Sequence, residues 1–185
     1  MILIQACSGA QTPKQEIFNK EFNWTVTILE NFVSVRADDW AKMQNRGAEA
    51  IETTTGEKIV NQTKSIFVFR NDDYNYFESN YQPFDPEVDG DYLESCKAVE
   101  EVLYNAFSSS IPGAKIARKR STERIDGLEF QKLEFHIELP NKTVLTMLMY
   151  SRLFGKREFA VNICYVNELK AQKMLDSWRQ SRFTR

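Results

Sequence analysis

Glycine and proline are scarce, 7 and 5 in 185 residues, and no stretch is rich in either. That excludes a collagen-like or low-complexity chain, a flexible interdomain linker and a glycine-rich phosphate loop. Three cysteines, Cys7, Cys96 and Cys164, are too few and too scattered for a disulfide framework. A single histidine and no Cys-x-x-Cys pair exclude the common zinc modules. Met1 to Ile4 is the only apolar run near a targeting length, far short of the roughly 20 residues a membrane-spanning helix needs. Neither sign of charge is in excess: 24 basic against 26 acidic side chains leave a formal charge of −2, and no strong field draws nucleic acid. What is present is an ordinary globular composition, 42% hydrophobic and 27% charged, in a chain long enough for one well-buried core.

The sequence Ile4-Gln5-Ala6-Cys7, followed by Ser8-Gly9-Ala10-Gln11, resembles the cleavage site of bacterial lipoprotein precursors. A branched residue three before the cysteine and a small one just before it suit a peptidase that grips an extended strand. The thiol would then take lipid and hold the domain at a membrane surface. A charged leader and most of the apolar stretch are not in the sequence. Either it begins inside a longer precursor, which is the expectation, or Cys7 is an idle thiol in a cytoplasmic leader. Residues 1–17 are thus read as truncated signal and tether, and 18–185 as a single domain.

Within that domain, Phe22, Trp24, Val26 and Ile28 alternate with polar residues as in a half-buried strand. Asp38-Asp39 open a helix with Trp40, Met43, Ala48 and Ile51 on one face. Ser65 to Phe69 reads as a central strand buried on both sides, and residues 71–91 as a long loop. A helix from about Asp91 places Tyr92, Cys96, Val99, Leu103 and Ala106 on one stripe.

Antiparallel strands follow, turned at Asp126-Gly127, Asn141-Lys142 and Gly155-Lys156. Leu128 and Phe130 are out of phase with Leu133, Phe135 and Ile137, which predicts a bulge near Gln131-Lys132. Asn167 caps the last helix, whose Ala171, Met174, Leu175 and Trp178 share a face. Thr143 to Phe154 is apolar on both alternations, so both sheet faces must be covered there. The expected fold is α+β, a three-layer α/β/α sandwich around a largely antiparallel sheet of about six strands.

This order of elements resembles the PsbP-like fold, shared by extrinsic PsbP proteins of photosystem II and many bacterial envelope proteins. The similar segments are Phe22 to Ile28 leading to Asn31-Phe32, the hairpin Glu123 to Phe130, and Leu175 to Phe183. Leu29-Glu30 stands where that family typically has a proline before the first turn. The resemblance implies a binding or assembly module with no catalytic motif.

Five aromatic residues in the 71–91 segment, Tyr74, Tyr76, Phe77, Tyr81 and Phe84, are candidates for partner binding, or for stacking on a carbohydrate or other small molecule. The competing reading tucks half of them into the core. Asp85, Glu87, Asp89 and Asp91 approach a calcium loop, but Cys96 stands where a bidentate glutamate is needed. They read instead as an acidic turn with Asp89 capping the next helix. Two-residue turns would line up His136, Met147 and Cys164 as soft metal ligands, against the more ordinary reading of a structural histidine.

Lys115, Arg118, Lys119, Arg120 and Arg124 read as a solvated or edge strand rather than a nucleic-acid groove. No Ser-His-acid arrangement is signalled. The expectation is a non-catalytic, lipid-anchored protein of the bacterial cell envelope, periplasmic or surface-facing, without a cofactor, binding an unknown protein partner. A small-molecule or carbohydrate-binding module is the alternative, and a hydrolase comes third.

Overall fold

Alternating apolar residues, two tight turns and one longer connection produce the spine of the molecule, four consecutive antiparallel strands: β6 (Lys115–Ile125), β7 (Leu128–Glu138), β8 (Val144–Phe154) and β9 (Arg157–Tyr165). The structure is a computed structural model that describes residues 15–56 and 62–184. Cys7 lies outside the described residues, as do the side chains of Ala48 and Ile51. Asp126 and Gly127 both take positive φ, 48° and 76°, the conformation a two-residue hairpin with the twist of its strands requires.

Three more strands extend the sheet on the β9 side. They are β3 (Val33–Ser34), β4 (Lys64–Asp72) and β5 (Asn75–Pro83), giving the order β3-β4-β5-β9-β8-β7-β6. A second sheet joins β1 (Glu16–Asn19), β2 (Trp24–Thr27) and β10 (Arg182–Phe183), with β2 in the middle paired to both. Strand β1 starts at Glu16, two residues before the domain start expected from sequence.

Four helices complete the fold: α1 (Ala37–Thr55), α2 (Pro86–Asp89), α3 (Tyr92–Ser110) and α4 (Glu168–Arg179). Helix α4 and the small sheet cover one face of the large sheet, while α1 and α3 cover the other. The three-layer α/β/α arrangement therefore holds, with seven strands in the main sheet where about six were expected.

On the α4 face, Trp24, Phe130, Tyr150, Phe159 and Trp178 are wholly buried. Ring centroids lie 5.0 Å apart for Trp24–Phe159 and for Phe130–Trp178. On the other face a smaller cluster forms where Leu103, Tyr104 and Phe107 of α3 meet Leu133, Phe135 and Ile137.

Three expectations are corrected. Pairing of β6 with β7 runs unbroken from Lys115–Glu138 to Ile125–Leu128, so there is no bulge near Gln131. The hydrophobic phase changes because the strand buries Phe130 under α4 at one end and Phe135 under α3 at the other. Residues 71–91 are not a loop: β5 and α2 occupy most of them. Strand β4 is not central either, since outward of it lies only the two-residue β3.

Candidate functional site

Strand β5 turns Tyr76, Glu78, Asn80 and Gln82 toward α1 and α3, opposite Cys164, Asn162, Ala160 and Glu158 of β9. Strand β8 adds Met149 and Ser151 to the same face, and β7 adds Gln131 and Leu133. The carboxyl-terminal half of α3 closes on this face through large side chains, with Phe107 5.3 Å from Phe135. Under its amino-terminal half the sheet offers small and polar side chains, and the helix stands off. A cleft of about 300 Å³ remains, walled by Leu93, Cys96 and Val99 of α3 and floored by Ser151, Ala160 and Asn162.

Polar groups are fixed around it. The Tyr92 hydroxyl lies 2.8 Å from Ser151 Oγ and 3.2 Å from Glu158 Oε1, and Gln82 Nε2 donates to Glu158 Oε2 at 2.7 Å. Deeper, Glu78 accepts from Trp40 Nε1 at 2.6 Å and from Asn162 Nδ2 at 2.8 Å. Burial holds the Glu78 carboxyl above its ordinary pKa against these hydrogen bonds. Asn162 Oδ1 is buried with no hydrogen-bond partner among the described residues.

Neither thiol near the cleft is activated. Burial raises the Cys96 thiol above its usual pKa, and the sulfur is 3.9 Å from Ser151 Oγ. Cys164 is pushed up to about 12 by its burial. Both thiols stay protonated at neutral pH.

His136 is on the opposite sheet face, 3.0 Å through Nδ1 from Thr146 Oγ1 and 2.5 Å through Nε2 from Glu134. It pairs with Thr146, while Met147 pairs with Phe135 and Cys164, so the expected row of soft ligands is not formed. The connection from β7 to β8 is longer than the two residues that row required.

The structure also redistributes the aromatic candidates. Phe77 is in the core, Phe84 is buried against Tyr92, Tyr81 packs edge-on to Phe22, and Tyr76 packs on Trp40 5.2 Å away. Only Tyr74, at the β4–β5 turn, is exposed. Core packing thus accounts for four of the five, and the stacking platform weighed as an alternative for residues 71–91 is not assembled.

Nor do the acids converge. Asp85 caps α2 through the Glu87 amide and is 2.7 Å from Lys156 Nζ, Asp89 accepts from the Asp85 amide, and Asp91 caps α3. Among the described residues no group of three or more His, Cys, Asp or Glu side chains is placed to hold a metal ion. Asp91, rather than Asp89, is the cap that sequence reasoning sought.

The residues that frame the cleft, Gln82, Tyr92, Gln131, Ser151, Glu158 and Asn162, were not among the site candidates read from sequence. A signal was present: Glu158, Ala160 and Asn162 alternate with Phe159, Val161 and Ile163 on a strand whose neighbour demands cover on both faces. Polar and small residues beneath a covering helix imply a polar cleft.

No family model and no curated protein sequence matches the chain. Its structure is similar to the solution structure of cyanobacterial PsbP (CyanoP) from Synechocystis sp. PCC 6803, with a TM-score of 0.59. The match covers 97% of this chain and 98% of that one, at 8% identity. The fold is PsbP-like. At that identity the likeness concerns the fold alone and assigns no site.

Proposed function

We propose that this PsbP-like chain is a non-catalytic binding module that takes a small molecule in the cleft beneath α3. The observation that carries the reading is the cleft itself: one largely apolar side, Leu93 and Val99 facing Leu133 and Met149, and a rim of oriented amide, hydroxyl and carboxylate groups. Protonated thiols and a histidine on the far face support binding rather than bond making. Protein docking has less beneath it, because Tyr74 alone of the five aromatic candidates is exposed.

The same proposal places the module at a bacterial envelope surface, tethered by lipid on Cys7, on the strength of Ile4-Gln5-Ala6-Cys7. No helix among the described residues is long and apolar enough to cross a membrane. A diacylglyceryl mass on the Cys7 peptide of protein extracted from native membranes is expected; an unmodified Cys7 preceded by Met1 refutes the tether.

For the cleft, Ala160→Leu fills the floor without removing a side-chain hydrogen bond. In a thermal-shift screen of small polar metabolites, the full chain is expected to gain stability with one chemical class and the Ala160→Leu variant to lose that response. Equal responses in both proteins refute the cleft as the binding site.

A further inference from the structure

The charges around the cleft discriminate between classes of small molecule. Its cations are already paired: Lys97 Nζ lies 2.5 Å from Glu94 and Arg120 Nε 2.6 Å from Glu100, while Lys132 extends over the Tyr150 ring on the other sheet face, 3.6 and 3.3 Å from Glu123 and Glu134. Glu158 is different. It takes hydrogen bonds from the neutral groups of Gln82 and Tyr92 and forms no ion pair among the described residues. In the floor, the Asn162 amide donates to Glu78, and its Oδ1 is buried with no hydrogen-bond partner among the described residues. Glu158, half-buried and without a cation among the described residues, is the one charged side chain of the lining left uncompensated, and low-dielectric walls strengthen its field.

An anionic ligand would meet Glu158 unbalanced, whereas a cation would complete it. Leu93 and Val99 across from Leu133 and Met149 provide for an aliphatic portion. We infer that the cleft binds a small organic cation, an ammonium or guanidinium group on a short aliphatic chain, with Glu158 as its counter-charge. This rests on the reading of the cleft as a ligand site.

Three probes with one aliphatic chain separate the two ideas: pentylamine, pentanol and pentanoate, titrated into the full chain and followed by calorimetry and by the side-chain amide signals of Asn162 and Gln131. Pentylamine is expected to bind, pentanol at least about tenfold more weakly, and pentanoate not at all. Glu158→Gln, nearly isosteric, is expected to weaken pentylamine by roughly ten- to a hundredfold and leave pentanol unchanged. Its thermal unfolding checks that it folds, and the wild-type series decides the matter if it does not. Pentanol or pentanoate binding as tightly as pentylamine overturns the cation and spares the cleft. No movement of the Asn162 and Gln131 signals with any probe overturns both.

Discussion

Glu78 sits between the indole of Trp40 and the amide of Asn162, and burial outweighs both hydrogen bonds in setting its pKa above the ordinary 4.5. A carboxyl with a raised folded-state pKa contributes stability that is complete below about pH 4.5 and is lost as pH rises through the folded value. Asp72 is the opposite case. Desolvation would raise it, but hydrogen bonds from Lys170, Asn75 and Tyr74 bring it to about 2. Its contribution is present above its ordinary 3.8 and lost as pH falls through about 2, and exposure keeps it small.

Unfolding midpoints measured across pH should therefore show Glu78→Gln reducing the loss of stability on the way to neutral pH, and Asp72→Asn flattening the acid limb. A Glu78→Gln profile parallel to wild type contradicts the placement of Glu78. Neither group was legible in the sequence, because its environment depends on cross-strand partners more than 80 residues away, as Asn162 is from Glu78, or on a helix start such as Lys170.

Helices and hairpins were legible where local chemistry decides them. Asn167 accepts from the Lys170 amide at 3.0 Å as its position before the last helix implied, and Asp91 does the same for Glu94 at 2.9 Å. Replacing either by alanine should cost about 1 kcal/mol of stability in denaturant titration. A cost near zero would mean that the helix end finds other partners. Asp91→Ala should also loosen the end of α3 that walls the cleft and weaken binding there, while Asn167→Ala, on the other face, should not.

Strand β5 escaped recognition because its helix-facing side, Glu78, Asn80 and Gln82, serves a polar cleft rather than a core, so alternation reads as a polar loop. Strand β7 misled in the other direction. Its phase change records which helix lies above it, information that pairing alone does not carry.

At the scale of the molecule, the two ends of the domain are closed together: β10 pairs with β2, and Phe183 stacks on Trp24 at 6.0 Å beside Trp178. Trp178→Ala empties the centre of this cluster and should cost roughly 3–5 kcal/mol, a large part of the ~5–15 kcal/mol that stabilises a domain. Chemical denaturation measures it, and a loss below about 1 kcal/mol would show that the aromatic face is not the principal core. Because that core lies on the α4 face, the α3 face is free to keep a cleft, and this division of labour between the two sides of one sheet is the central claim.

Amide chemical-shift mapping of the full chain against a small-molecule fragment mixture tests it most directly. Perturbations should gather on the amino-terminal half of α3 and on Gln131, Ser151, Ala160 and Asn162, with the aromatic face silent. Perturbations gathered around Tyr74 or the α4 face, or none at all, would contradict it.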